Sequence, residues 1–250
     1  MDPTFCTGGD LRSCPFSTVT RLQRDMCIYT PVSLLKHLYY CMHSVKLIHS
    51  TPDGDNLVSY MARVSNPSNQ NNTETSARLI KYLIKHKHWS PFEMVNMCVE
   101  IHTTRSIAAQ ILRHRSFSFQ EFSQRYAAVT DFPETPALRK QDLVNRQNST
   151  DDLNPTDVQF YQIMMQDHFK QAYRIYNDML KAGVAKECAR EVLPLSSPTK
   201  LYMNGTLRSW LHYRELRCAN GTQHEHKLIA DGCKNLIEVA FPTVYAAMWD

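Results

Sequence analysis

Val95-Asn96-Met97-Cys98-Val99-Glu100-Ile101-His102 alternates apolar and polar residues over its length. In an extended chain Val95, Met97, Val99 and Ile101 point one way and Asn96, Cys98, Glu100 and His102 the other, so the stretch predicts a strand with one buried face. Upstream the period is that of a helix. From Thr75 onward, Leu79, Ile80, Leu83 and Ile84 share one side while Lys81 and Lys85 take the other. Trp89-Ser90-Pro91 closes that run, because proline cannot continue a helix. Downstream, residues 106–112 predict a second helix through Ile107, Ala108, Ile111 and Leu112.

Further out, Val45-Lys46-Leu47-Ile48-His49 predicts another strand, followed by the turn Thr51-Pro52-Asp53-Gly54. Apolar character resumes over residues 57–64, and residues 66–73 form a polar loop. Residues 130–157, with Pro133, Pro136 and Pro155, predict a long loop or lid, a length that is usually functional or mobile inside a compact domain. Asp151-Asp152 within it is expected to cap the following helix. Helices are then predicted over 160–180, closed by Gly183, over 185–192, stopped by Pro194, and over 206–216 and 224–239. There are no internal repeats. The expected fold is α/β (α+β): a central mixed or antiparallel sheet flanked by helices, with strands mainly before residue 130, a helical C-terminal half, and a single domain that oligomerises. Residues 1–44 carry four of the eight cysteines and no clean periodicity until Leu34–Tyr40. They are expected to be a dispensable or disordered extension, with the functional domain spanning 45–250.

Composition excludes several classes. With 43% hydrophobic and 21% charged residues among 250, the chain can bury a core and is not disordered as a whole. The seven glycines are too scattered to write GxGxxG or GxxxxGK[ST], so any phosphate must be held mainly by side chains. A net charge of +4 leans mildly towards anionic partners. The eight cysteines form no CxxC pair, which argues against a zinc ribbon or thioredoxin-type site and for thiols in a reducing compartment. Asp2, Asp10 and Arg12 interrupt any signal-peptide pattern, and the apolar stretch at 31–48 is broken by Lys36, His37, His43 and Lys46. A cytoplasmic protein is expected.

The densest polar constellation is Gln110-Ile111-Leu112-Arg113-His114-Arg115-Ser116-Phe117-Ser118-Phe119-Gln120-Glu121-Phe122-Ser123-Gln124-Arg125-Tyr126. Gln110, Arg113 and His114 stand at i, i+3 and i+4, so one helical face would present all three. Arg115 and Arg125 add forks suited to phosphate, the serines add hydroxyls, and Glu121 can accept from a base or ribose. Residue types alone leave three readings open: a small anionic ligand, a solvated basic helix end beside ordinary core phenylalanines, or a single-stranded nucleic-acid binding surface. Compactness of the basic residues and the interruption by Glu121 favour the first.

Arg113-His114-Arg115, seven residues and then Ser123 resembles the RHRx7S signature of the flavin-dependent thymidylate synthases. Supporting segments follow in that family's order: Ala62-Arg63-Val64-Ser65, His88-x-Ser90-Pro91-Phe92-Glu93, Ala189-Arg190-x-Val192-Leu193-Pro194, and Arg208-Ser209-Trp210-Leu211-His212-Tyr213 ending in Arg217. The resemblance covers the chain from about Val45 and implies synthesis of dTMP from dUMP. Its one-carbon donor would be 5,10-methylenetetrahydrofolate, its hydride carrier FAD and its reductant NADPH, in a homotetramer with shared active sites.

Carried over by resemblance, the dUMP pocket takes Gln110, Ile111, Leu112, Arg113, Glu121, Phe122, Ser123, Gln124, Arg125, Arg190 and Arg217. Arg217 is the catalytic group that stabilises ionised uracil N3. The FAD site takes Ser65, His88, Ser90, Glu93, Arg113, His114, Arg115, Glu121, Thr206, Leu207, Arg208 and His212. Two positions depart from the family pattern: Thr206 stands where many relatives have Asn, and Met94 follows Pro-Phe-Glu in place of His. No cysteine lies in the Pro-Cys loop of the cysteine-dependent synthases, and Cys188 and Cys218 are expected to be inert.

His224-Glu225-His226 lacks the HExxH spacing, so no metal site is expected there; His86 and His88 share the fault. Lys81, Lys85 and Lys87 are expected to form a solvated face. Trp249 has no role in this reading, and neither nucleic acid nor membrane is an expected partner.

Overall fold

The computed structural model describes residues 42–250. All but three residues of the expected N-terminal extension therefore lie outside the described part, and the first strand begins at Ser44. The elements in chain order are β1 (Ser44–Ser50), α1 (Gly54–Ala62), α2 (Ser76–Lys85), β2 (Asn96–Thr104), α3 (Arg105–Ile111), β3 (Ser118–Glu121), β4 (Lys140–Gln141), β5 (Ser149–Thr150), α4 (Pro155–Lys181), α5 (Lys186–Ala189), β6 (Pro198–Thr206), α6 (Leu207–Cys218), α7 (His224–Ala240) and α8 (Pro242–Trp249).

The alternating stretch is the centre of the fold. β2 pairs with β1 on one side and β6 on the other, and β3 closes the far edge, in the order β1-β2-β6-β3. Every pairing is antiparallel, with Val99 opposite both Leu47 and Met203. Val95, Met97, Val99 and Ile101 are fully buried. They meet Leu201 and Met203 of β6 and, from the helices, Ile107, Ile111, Trp210, Leu211, Ile229 and Ile237 in one core. Trp210 satisfies its indole N–H on the Met97 carbonyl at 3.0 Å. The opposite sheet face is polar: Glu100 accepts from the Tyr202 hydroxyl at 2.8 Å and contacts His102 Nε2 at 3.0 Å.

The α/β architecture is as expected. Strands lie mainly before residue 130, as expected, but the helical half also contributes β6, an inner strand of the sheet. Two local expectations need correction. Gln110, Arg113 and His114 do not share a helical face: α3 ends at Ile111 and the chain turns, with the His114 amide donating to Ile111 O at 3.0 Å. The cap of the long helix α4 is Asn154, whose Oδ1 accepts from the Thr156 amide at 2.9 Å. Asp152 instead pairs with Lys140 at 2.9 Å.

The stretch expected as a lid is held at its start. The Tyr176 hydroxyl accepts from the Val129 amide at 2.9 Å, and Tyr173 donates to Thr130 O at 2.8 Å. Farther on, Arg139 grips the buried carboxylate of Glu225 through two bonds of 2.7 and 3.0 Å. At the C-terminus, Asp55 accepts from the Thr243 and Val244 amides at 2.8 and 3.1 Å, capping α8 from a distant part of the chain. Trp249 lies beneath two cations, Arg214 at 5.4 Å and Lys234 at 5.3 Å.

Candidate functional site

Arg113, His114 and Arg115 sit on the short connection from α3 to β3. What holds that connection is Phe117. Its ring packs edge-on against Trp210, with centroids 4.7 Å apart, and occupies the space over Gly205. A Cβ at Gly205 would lie 2.4 Å from the Phe117 ring, so glycine is required there by close approach. Ser116 is tied to α6 in turn: Ser209 donates to its carbonyl at 3.3 Å, and Ser209 is held by Thr206, the N-cap of that helix. The three phenylalanines of the segment are therefore packing groups, whereas Tyr126 is 88% exposed. Phe117 and Phe119 belong to the main core, and Phe122 packs into a second cluster with Val129, Tyr176 and Ala189.

His114 is half-buried with its ring edge-on to Tyr213, 4.9 Å between centroids. Arg217, one turn beyond Tyr213 on α6, donates through Nε to His114 Nε2 at 2.8 Å. Burial first, then the charges of Arg217 and Arg113, pull the His114 pKa down to about 4, so at neutral pH it is an uncharged acceptor. Anchoring Nε leaves both terminal nitrogens of Arg217 free of any partner among the described residues. Arg113 and Arg115 are exposed and have no carboxylate partner among those residues either.

Beneath this lies a buried polar chain that sequence reasoning missed. His226, fully buried, contacts Gln110 Oε1 at 3.2 Å and the Tyr213 hydroxyl at 3.0 Å. A signal was present: on a helix, His226 lies on the same side as Ile229, Ala230, Cys233 and Ile237. Arg105 was missed too. Its guanidinium reaches Glu121 Oε1 and the Phe122 carbonyl, both at 2.8 Å, and Thr199 donates to the same Glu121 oxygen at 3.0 Å. Its only mark in the sequence was an arginine at a strand-to-helix junction.

The remaining expected residues fall into two further groups. Glu93 pairs with Arg208, and His212 packs edge-on to Trp89 at 4.8 Å, which brings the segment containing His88 and Ser90 against α6. Ser65 follows α1 just beyond Arg63, whose guanidinium clamps Asn72 O and Thr75 Oγ1. The third group runs from Glu121 to Arg125. Gln124 is buried with Nε2 unpartnered among the described residues, Ser123 is exposed, and Arg125 pairs with Glu187 at 3.2 Å. Arg190 stands nearby in sequence to Glu187 and contacts Glu191 at 3.4 Å. Among the described residues, no hydrogen bond or ion pair links Ser123, Arg125 or Arg190 to the pair His114–Arg217. Ile111 and Leu207 have fully buried side chains and can offer a ligand only their main chain.

Donors exceed acceptors in this set, for among the described residues the guanidiniums of Arg113 and Arg115, the fork of Arg217 and the amide nitrogen of Gln124 have no partner. That chemistry fits phosphate-bearing ligands such as a flavin dinucleotide and a nucleoside monophosphate. Thiol chemistry is disfavoured at Cys218 and Cys233. Burial, then the hydrogen bond to Asp231, raises Cys218 to about 11, and Cys233 is raised further by burial.

Residues 46–243 match the family model described as thymidylate synthase complementing protein. A probable flavin-dependent thymidylate synthase of Paramecium bursaria Chlorella virus 1 is 48% identical over 202 residues, 81% of this chain and 94% of that protein. The flavin-dependent thymidylate synthase of Synechocystis sp. is 46% identical over 198 residues, 79% of this chain and 90% of the relative. Among solved structures, the UMP/dUMP methylase PolB of Streptomyces cacaoi, bound with 5-Br dUMP, superposes with a TM-score of 0.74 at 27% identity, covering 82% of this chain and 93% of that one.

Proposed function

This chain belongs to the thymidylate synthase complementing protein family, the flavin-dependent thymidylate synthases, and from that premise we propose that it converts dUMP to dTMP by reductive methylation. FAD, when bound, supplies the hydride; 5,10-methylenetetrahydrofolate donates the carbon and NADPH is the reductant. Single-stranded nucleic-acid binding is not favoured, since the phenylalanines it would need for stacking are packed into the two cores.

The observation that carries this reading is the 2.8 Å bond from Arg217 Nε to the neutral His114 within the RHRx7S segment. A guanidinium fixed at Nε presents a planar fork with both outer nitrogens available. Set beside uracil N3, that fork favours the N3 anion and raises electron density at C5, the carbon that must act as nucleophile. Arg113, Arg125 and Arg190 hold the dUMP phosphate and sugar, with Gln110, Glu121, Ser123 and Gln124 lining the pocket, Leu112 and Phe122 forming its floor and Ile111 contributing its main chain. Arg113, His114, Arg115 and Glu121, together with Ser65, His88, Ser90, Glu93, Thr206, Leu207, Arg208 and His212, hold the flavin. Excess donors at these positions support that assignment, and dUMP-dependent dTMP formation by flavin-loaded protein tests it.

The reading extends to assembly. One chain leaves the expected residues in separate groups, and α4 buries only Phe169, Ala172 and Tyr176 while Phe160, Tyr161, Ile163 and Met164 stay more than half exposed. Both features support a homotetramer in which groups from different chains complete each active site; sedimentation analysis tests it. No helix among the described residues is long and apolar enough to cross a membrane, and we place the protein in the cytoplasm, which imaging of a tagged chain tests. A chain beginning at Met42 is expected to keep activity; loss of folding would refute the dispensability of residues 1–44.

A further inference from the structure

An imidazole sealed in an apolar core is costly unless both ring nitrogens are paired. His226, on α7, is fully buried and meets that condition with partners on two other elements: Gln110 on α3 at 3.2 Å and Tyr213 on α6 at 3.0 Å. With the Gln110 and Gln223 amides oriented as they stand, the directions of these bonds follow. Gln110 Nε2 donates to Gln223 Oε1 at 2.7 Å, so the end of Gln110 that faces His226 is its carbonyl. A carbonyl only accepts, so His226 Nδ1 carries the hydrogen, and Nε2 accepts from the Tyr213 hydroxyl. The result is one directional chain: Tyr213 O–H to His226, His226 N–H to Gln110, Gln110 N–H to Gln223. Linked bonds of this kind polarise one another and resist reversal. Burial first and the Arg217 charge second hold the imidazole neutral, with its pKa drawn down to about 3, so at physiological pH one ring nitrogen donates and the other accepts.

We propose that His226 is a positioning residue for methyl transfer: it fixes the amide of Gln110 with its carbonyl inward, so that Gln110 offers the nucleotide an N–H donor and never an acceptor. One N–H of Gln110 is used by Gln223, and the other has no partner among the described residues. The ligand group it recognises is therefore an acceptor oxygen, a pyrimidine carbonyl or a phosphate oxygen. A ligand presenting a donor there would meet a second donor and be rejected, so His226 contributes selectivity as well as affinity. The same scaffold supports the second half of the site, because Tyr213 backs the His114 ring that anchors Arg217. This inference rests on the reading that Gln110 lines the nucleotide pocket.

Two measurements test it. In flavin-loaded protein, dUMP binding is titrated through the flavin absorbance for wild type, His226→Phe, Gln110→Ala and the double variant. His226→Phe is expected to weaken dUMP about tenfold, the worth of one misdirected hydrogen bond, with flavin content unchanged, and to add nothing in the Gln110→Ala background. An equal loss in both backgrounds means that His226 acts only on the fold, and no loss in wild type means that it does not act at all; either overturns the proposal. The second measurement needs no variant and no substrate: nitrogen-15 shifts of labelled histidine in wild-type protein are expected to show Nδ1 protonated and Nε2 accepting at His226. The opposite tautomer overturns the proposal even if dUMP binds. Wild-type protein that takes up no dUMP, with the expected tautomer present, overturns instead the functional reading on which the proposal rests.

Discussion

Arg217 Nε stands 2.8 Å from His114 Nε2, and the bond exists because the imidazole is uncharged. A protonated His114 has no lone pair to offer and would repel the guanidinium. Its neutrality is set by its surroundings, namely burial against Tyr213 and the positive charge of Arg217 and Arg113. The motif thus contributes an aligned arginine from another helix in addition to its own two cations.

Arg217→Lys keeps a positive charge but loses the planar fork and the Nε anchor. Loss of a group acting on developing charge typically costs about a hundredfold to a thousandfold in turnover. Formation of dTMP is expected to fall by that order while bound flavin, read from its visible spectrum, stays at the wild-type level. Unchanged turnover would remove Arg217 from the mechanism.

Stability should decline on mild acidification. The unfolded chain takes up protons on both His114 and His226 near 6.5, whereas the folded chain does so only near 4 and near 3. Between these values the unfolded state holds more protons, so stability is fully present above pH 6.5 and is lost progressively as pH falls towards 4. Thermal midpoints measured from pH 7.5 to 5 are expected to drop, less steeply in His226→Gln. A flat profile over that range would contradict the neutral assignments.

Gly205→Ala places a methyl where the Phe117 ring lies, at 2.4 Å from its Cδ1. Overpacking of this kind costs roughly 1–3 kcal/mol, and displacement of Phe117 should loosen the connection bearing Arg113–Arg115. Urea denaturation is expected to register the loss, together with weaker retention of flavin. Wild-type stability in this variant would mean that the ring moves aside freely.

Iodoacetamide at pH 7.5 should alkylate Cys188, which is exposed, and leave dTMP formation intact. Cys218, raised to about 11, and buried Cys233 should resist. Mass spectrometry identifies the modified thiols, and inactivation tracking any of these three would restore a cysteine mechanism to consideration.

How much was legible beforehand depended on the strength of periodicity. β2 and α2 were evident because each has one apolar and one polar side. β6 was hidden although it lies inside the sheet: Pro198 opens it and Gly205 sits near its end, residue types that weaken a strand pattern, while Lys200 and Tyr202 face the polar side. β3 has only four residues, and α8 is short and apolar on most sides, so neither offers a period to count. In the site, the RHRx7S segment and Arg217 were readable through their resemblance to a known family, whereas residue types alone left three readings open. His226 was set aside on its spacing from His224, although the helical period of its own element placed it on the core side. Arg105 gave no pattern, since its role depends on bringing Glu121 and Phe122 beside it across the fold.

The most direct test is a single spectroscopic turnover. Purified protein, bleached with NADPH under anaerobic conditions, is given dUMP and 5,10-methylenetetrahydrofolate while the flavin band is followed and dTMP is quantified. The band is expected to return only when both substrates are present, with dTMP formed in proportion to flavin reoxidised. A colourless protein that takes up no flavin supplied in excess, or reoxidation without dTMP, would contradict the assignment.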